Sequence, residues 1–137
     1  MKLKQLLTGA LISLVTCITF AESQWHPLDS ANGFIIGVDI KNISNVTEYS
    51  HQTNKKVWIK SVVYEDLIQD GLAVGDYYMT LYWVNCNNRT LGVKSFSSYI
   101  KQKNGTVKNN TETEHFVKMN DVIPNSIGEG ILDTVCS

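Results

Sequence analysis

The segment PNSIGEGILDTVCS, residues 124–137, combines a turn, a helix start and a cysteine. Ser126 is followed three positions later by Glu129, which gives the S-x-x-E capping box that begins many helices. The apolar residues that follow fall at i, i+4, i+5 and i+8 and form one helical stripe: Ile127, Ile131, Leu132 and Val135. Two glycines weaken this helix, so it needs a surface to pack on. The segment predicts a short C-terminal helix that is docked through its apolar stripe, with Cys136 close to that stripe.

The other end of the chain has the layout of a secretory signal peptide. Two lysines precede a mostly apolar stretch, residues 6–20, that is short for a membrane span, and we expect cleavage after Ala21. This predicts a signal peptide, residues 1–21, and one domain, residues 22–137. Two alternatives are an uncleaved membrane anchor and a lipoprotein acylated at Cys17, because the four residues ending there are similar to a bacterial lipobox.

Cleavage after Ala21 leaves two cysteines, Cys86 and Cys136. An exported domain with two cysteines most simply forms one disulfide. Such a bridge closes a loop of about fifty residues and stabilises the fold by roughly 4 kcal/mol in the chain-entropy model. Two free thiols and an intermolecular bridge are the alternatives. On the first interpretation, the bridge ties the C-terminal helix to the segment that ends at Cys86.

That segment, YYMTLYWVNC at residues 77–86, is rich in aromatic and β-branched residues, as strands are. It is apolar on both faces, so we expect a central strand with the helix on the face of Tyr82 and Val84. The sequence predicts further strands at residues 34–40, 57–64, 90–100, from 105 onward, and 114–119. Asn104-Gly105 predicts a type I′ hairpin turn. The fold class is therefore α+β: a small, mostly antiparallel β-sheet with a C-terminal helix tied to the central strand by a disulfide.

Five short stretches of the chain occur in an order that is found in one family. They are VDIKNI at 38–43, VWIK at 57–60, VNCN at 84–87, YI with GTV at 99–107, and PNS, GE and VC between 124 and 136. This pattern resembles the surface-adhesin protein E family of small exported bacterial domains. The resemblance implies an antiparallel sheet with a terminal helix tied by a disulfide. It also implies an envelope protein of the class whose named member is an outer-membrane adhesin for host proteins.

The sequence contains no motif for catalysis or for metal binding. The three histidines are scattered and have no cysteine beside them, and the acidic residues do not have the spacing of a calcium loop. The net charge is −1 with no run of basic residues, which argues against a nucleic-acid partner. We therefore expect no enzymatic activity, no cofactor and no metal, and a domain that does not span a membrane.

Aromatic and lysine side chains provide the candidate partner surface. The aromatic residues cluster on two predicted strands, and the lysines lie on or near predicted turns. The alternatives are cross-strand packing for the aromatic rings and solvated loop tips for the lysines. Where such side chains are exposed together, they suit a protein partner. The candidate residues are Trp58, Tyr64, Tyr77, Tyr78, Lys101 and Lys103.

Three functions are compatible with an exported domain that lacks catalytic motifs. The first is a bacterial envelope or surface binding protein, for which the resemblance implies adhesion to host extracellular-matrix or plasma proteins. The second is a periplasmic structural accessory protein, and the third is an inhibitor or immunity-type protein that neutralises a toxin or hydrolase. The sequence predicts export to the periplasm, the outer-membrane surface or the medium, and does not choose among these places.

Overall fold

Strands are the predominant regular element of the structure, a computed structural model that describes residues 24–48, 51–67 and 70–137. The predicted signal peptide, residues 1–21, and Cys17 lie outside these residues. The elements in chain order are β1 (Trp25–Ala31), β2 (Phe34–Asp39), a 3-10 helix (Ile40–Asn42), β3 (Ser44–Asn45), β4 (Lys55–Val63), β5 (Tyr77–Asn85), β6 (Thr90–Lys101), β7 (Val107–Thr113), β8 (Asn120–Asp121) and α1 (Ile127–Cys136).

All neighbouring strands of the sheet are antiparallel. The strand order is β1-β2-β4-β5-β6-β7, with β3 paired to β4 and β8 paired to β6. Strand β5 lies inside the sheet between the two longest neighbours, as its two apolar faces predicted. A register shift between Leu81 and Tyr82 interrupts the β5–β6 ladder, which increases local twist. The predicted α+β class is confirmed.

Helix α1 begins where the capping box predicted. The backbone N–H of Glu129 donates to Ser126 Oγ at 3.3 Å, and the Glu129 carboxylate accepts from the N–H of Asn125 at 2.8 Å. The Glu129 N–H also donates to the carbonyl oxygen of Ser126 at 3.1 Å, so side-chain and backbone acceptors together satisfy the donors at the start of the helix. The stripe of the helix is buried against alternate residues of β2, β4 and β5, and together they form the core: Ile131, Leu132 and Val135 with Ile36, Val38, Val57, Ile59 and Val84.

A disulfide joins the last residue of α1 to the residue after β5. Cys86 and Cys136 have a Cα–Cα distance of 5.6 Å, and they are 50 positions apart in sequence. Two further contacts attach α1 to the sheet region. Lys55 Nζ donates to the carbonyl oxygen of Val135 at 3.1 Å near the end of the helix, and Arg89 lies 3.3 Å from Glu129 in its first turn. The predicted intramolecular bridge is confirmed.

Two predictions about local structure are wrong. Residues 114–119 are not a strand. Strand β7 ends at Thr113, and the chain then passes close to Gly92 of β6, where an added Cβ atom would lie 2.5 Å from Val117 Cγ1, before β8 pairs with β6. The type I′ turn is also misplaced. Gly105 has φ 84° but Asn104 does not have a positive φ, whereas both residues of the β1–β2 turn do, with 51° at Asn32 and 82° at Gly33.

Candidate functional site

Helix α1 covers one face of the sheet, and most of the other face is uncovered. Side chains alternate along a strand, so Val57 and Ile59 lie under the helix while Trp58 and Lys60 point to the opposite side. The β4–β5 and β5–β6 registers extend this second side across the sheet. We call it the open face and define it by eight residues: Trp25, Ile35, Trp58, Lys60, Val62, Tyr77, Met79 and Tyr99.

A row of aromatic rings with a cation among them runs across the open face. Tyr77 and Tyr99 are cross-strand partners whose rings stack with centroids 4.6 Å apart and an interplanar angle of 11°. Lys60 Nζ lies 4.4 Å from the centroid of Tyr77 and 5.8 Å from that of Trp25. Trp25 in turn lies against Gly37: a Cβ atom added at Gly37 would be 3.4 Å from the Cβ of Trp25. The ammonium group is therefore attracted to ring faces on both sides and is fixed over the sheet.

Two concave regions border this row. An apolar recess of about 230 Å³ is lined by Trp25, Pro27, Ile35, Gly37, Lys60 and Val62. A more polar groove of about 550 Å³ lies beside Trp58 and is lined by Asp39, Lys41, Asn42, Ile43, Ser44, Lys56, Trp58 and Leu81. The open face thus offers an apolar depression next to a groove that carries both signs of charge.

The buried carboxylate of Asp39 organises one wall of the polar groove. Asp39 is 3% exposed, and it accepts hydrogen bonds from Gln24 Nε2 and from Asn42 Nδ2, the latter at 2.9 and 3.1 Å. Because a buried charge is costly unless it is hydrogen-bonded, these donors hold the carboxylate in place. The same bonds fix the short 3-10 helix that follows β2, and so they shape the groove beside Trp58.

The far end of this side of the sheet is closed. Trp83 is 3% exposed. The centroids of the His51 and Trp83 rings are 4.7 Å apart, and Lys94 Nζ lies 5.0 Å from the centroid of the Trp83 ring. His51 lies on the segment that precedes β4, whose ends are joined by the bond from Val46 N–H to the carbonyl oxygen of Asn54 at 2.8 Å. Trp83 therefore belongs to the core, and the surface available to a partner ends near Trp58.

Two of the predicted partner residues, Trp58 and Tyr77, lie on the open face, but Tyr78 lies on the other side. Its ring packs between Phe34, at 5.9 Å, and Phe96, at 4.9 Å between centroids. Burial raises the pKa of the Tyr78 hydroxyl, and the nearby carboxylates of Asp70 and Asp76 raise it further. For Tyr78 the structure agrees with cross-strand packing.

The remaining predicted residues lie at the margins of the sheet. Tyr64 is exposed just after β4, and its N–H donates to the carbonyl oxygen of Gly33 at 2.8 Å. Lys101 ends β6 and donates its backbone N–H to Asp76 Oδ1 at 2.9 Å, while Lys103 lies in the turn before β7, and both lysines are exposed. The structure therefore places Trp58 and Tyr77 on the same side of the sheet, four positions apart in register, and leaves the two lysines and Tyr64 outside the open face.

Sequence reasoning missed three residues of the aromatic row: Trp25, Lys60 and Tyr99. Trp25 was missed because β1 was not predicted, although Asn32-Gly33 after it is a type I′ signature. Lys60 lies two positions after Trp58 in a predicted strand, so period 2 alone would have placed it on the same side as Trp58. Tyr99 lies on a different strand from Tyr77, and its place beside Tyr77 follows from the β5–β6 register, which the sequence does not give.

The described ranges hold neither a metal-binding cluster nor a membrane-spanning helix. Across residues 24–48, 51–67 and 70–137, no group of three histidine, cysteine or acidic side chains is arranged to hold a metal ion. Within the same ranges, no helix has the length and apolar character that crossing a bilayer requires.

Comparisons with known proteins identify one family and one similar solved structure. The family model described as "Surface-adhesin protein E" matches residues 25–137, which includes every element from β1 to α1. Crystal form II of Haemophilus influenzae protein E is similar with a TM-score of 0.48 and 13% sequence identity, covering 80% of this chain and 91% of that chain. No curated protein matches the chain.

Proposed function

Because the chain belongs to the surface-adhesin protein E family, we propose that it is an exported bacterial envelope protein that binds an extracellular protein through its open face. Family membership supports an adhesin-like surface protein. The proposal adds the partner, a host extracellular-matrix or plasma protein, and the surface that receives it. It also makes the protein a binding module rather than an enzyme.

The observation that carries the proposal is the composition of the open face. An antiparallel sheet with a helix on one side commonly presents polar residues on the other. Here the second side presents Trp58, Tyr77 and Tyr99, together with Ile35, which is 48% exposed. Tryptophan and tyrosine are enriched in protein interfaces and in the residues that dominate binding energy. The open face therefore has the composition of a partner surface.

The charges on the open face favour a particular kind of partner segment. Lys60 lies over the ring of Tyr77, and Lys56 lines the polar groove with Trp58. The apolar recess beside Lys60 suits an aliphatic or aromatic side chain. We expect the partner to contribute an apolar anchor with an acidic residue next to it, because charge complementarity steers association and fixes orientation.

The first test is where the protein resides and what it binds there. Antibody labelling of intact cells is compared with labelling of permeabilised cells, and purified matrix and plasma proteins are then screened for binding to the wild-type protein. Labelling of intact cells together with saturable binding to one of these proteins supports the proposal. Labelling only after permeabilisation contradicts it and favours a periplasmic accessory or inhibitor.

A further inference from the structure

Trp58 and Leu81 give the polar groove an apolar surface. They are cross-strand partners on β4 and β5, and both line the groove. Trp58 is half-buried, so part of its indole ring is open to a ligand. The groove volume of about 550 Å³ lies within the range of sites that hold small molecules. An indole ring packs well against another flat apolar surface, such as the C–H face of a sugar ring. This part of the groove therefore suits a ring-shaped ligand.

Lys56 places a cation beside that surface. Its side chain lines the groove, two positions before Trp58 on the same strand. Two neighbouring lysines on β4 are already engaged, because Lys55 donates to the end of α1 and Lys60 lies over an aromatic ring. In the part of the chain that the structure describes, the Lys56 ammonium makes neither a hydrogen bond nor an ion pair. A half-buried ammonium in this state favours a ligand that brings an anion to it.

Asp39, the carboxylate that lines the groove, is buried and already hydrogen-bonded. Its Oδ1 accepts from Asn42 Nδ2, and its Oδ2 accepts from Asn42 Nδ2 and from Gln24 Nε2. Lys41 lines the same groove and is exposed. A ligand that enters the groove therefore meets the positive charges of Lys41 and Lys56 rather than the carboxylate, which is 3% exposed.

The neutral polar groups of the groove suit hydroxyl groups. The Nδ2 of Asn42 is occupied by Asp39, which leaves the Asn42 Oδ1 available as an acceptor. Ser44 is exposed, and its hydroxyl both donates and accepts. The groove thus combines a ring surface, a cation and groups that pair with hydroxyls. An acidic amino-acid side chain matches the cation alone, whereas a sugar with a carboxylate matches all three.

We propose that the polar groove binds a sugar that carries a carboxylate, as sialic acids and hexuronic acids do. The sugar ring lies on Trp58, the carboxylate accepts a charge-assisted hydrogen bond from Lys56, and the hydroxyls bond to Asn42 and Ser44. This inference goes beyond the proposed protein partner, because it names a second class of ligand and assigns it to the groove beside the open face.

A heteronuclear NMR titration of the protein purified from cells tests the class of ligand. The probes are sialyllactose and a hyaluronan tetrasaccharide, and the one that binds more tightly identifies the source of the acidic sugar. We expect a saturable shift of the Trp58 indole N–H signal. The indole signal of Trp83 is the internal control and should not move, because Trp83 is 3% exposed.

Neutral ligands test the role of charge without changing the protein. Lactose lacks the acidic sugar of sialyllactose, and the methyl ester of sialyllactose keeps that sugar but not its charge. Both should bind at least about tenfold more weakly than sialyllactose, because charge-assisted hydrogen bonds are about twice as strong as neutral ones. Added sodium chloride should weaken binding of the acidic sugar, since the groove is open to solvent and its charges are screened.

Matched variants test the residues of the groove. Lys56→Gln removes the charge and should weaken binding of the acidic sugar by about tenfold or more. Lys103→Gln makes the same change in an exposed turn and should leave binding unchanged. Trp58→Ala should abolish binding, whereas Tyr77→Ala, on the open face but not among the residues that line the groove, should preserve it. Circular dichroism checks that each variant is folded.

Four results overturn the proposal. They are no saturable shift with either acidic sugar up to about 10 mM, equal binding of sialyllactose and its methyl ester, wild-type affinity in folded Lys56→Gln, and a glutamate tetrapeptide that shifts the Trp58 signal at lower concentration than either sugar. The last result would assign the groove to an acidic protein segment instead. The protein partner of the open face is measured separately with a protein ligand, so failure of the sugar test leaves that proposal standing.

Discussion

Removing the disulfide as the double variant Cys86→Ser/Cys136→Ser should lower the free energy of unfolding by about 4 kcal/mol. The bridge spans 50 positions, and the chain-entropy model assigns a loop of that length about 4 kcal/mol at 25 °C. The apolar stripe of α1, with Leu132 and Val135, stays packed on the sheet without the bridge, so we expect the native fold to be retained. Small domains have about 5–15 kcal/mol of stability in total, so this loss is a large fraction of it.

Urea unfolding followed by far-UV circular dichroism measures this loss. For an m-value of about 1.5 kcal/mol/M, the midpoint should fall by about 2.7 M. The wild-type protein in excess reductant is the matched control and should unfold at the same urea concentration as the double variant. Amide exchange should also accelerate in α1 before it accelerates in β5, because the bridge ties the helix to the sheet. A loss below about 1 kcal/mol, with unchanged exchange in α1, would refute the reasoning that the bridge holds the helix.

Three further predictions concern the helix cap, the β1–β2 turn and alkaline pH. Ser126→Ala removes the side-chain acceptor for the Glu129 N–H and should cost about 1 kcal/mol in urea unfolding, whereas an unchanged midpoint would contradict the cap. Gly33→Ala should cost more than about 1 kcal/mol in the same assay, because φ is +82° and the new Cβ would lie 2.1 Å from a backbone carbonyl oxygen; wild-type stability would contradict this. Burial raises the pKa of Tyr78 and Tyr82 above the usual 10.0, so the folded state favours the protonated phenols. The stabilisation that these raised pKa values provide is fully present below pH 10 and is lost as the pH rises through the folded-state pKa. The urea midpoint should therefore fall above pH 10, and it should fall less steeply in Tyr82→Phe.

The C-terminal helix and its disulfide were predictable because their local signals and their packing agree. Ser126 and Glu129 specify where α1 begins, and the spacing of Ile131, Leu132 and Val135 specifies which side is buried. The two-cysteine count then predicted the bridge between α1 and the end of β5. Each of these signals is local or needs one partner only, so a single sequence suffices to recognise them.

Strand β1 and the open face were harder to predict for a physical reason. Edge strands have few buried residues, and β1 also carries Pro27 and a register shift, so its alternation of apolar and polar residues is weak. The signal that remains is Asn32-Gly33, which marks the turn after β1. Residues 114–119 have a strand-like composition, but Phe116 is 93% exposed, because β7 already occupies that edge of β6. Which aromatic rings face outward depends on the registers of three strand pairs, and these follow from tertiary pairing rather than from local pattern.

The most direct test of partner binding through the open face compares wild type with the variant Trp58→Ala/Tyr77→Ala. Wild type, this double variant and a control variant are each measured for binding to the extracellular protein found in the screen, and circular dichroism checks that each is folded. The control Phe116→Ala removes an aromatic ring that is 93% exposed outside the open face. The account predicts that binding weakens by at least tenfold in the open-face variant and is unchanged in the control. Wild-type affinity in a folded Trp58→Ala/Tyr77→Ala variant would contradict it.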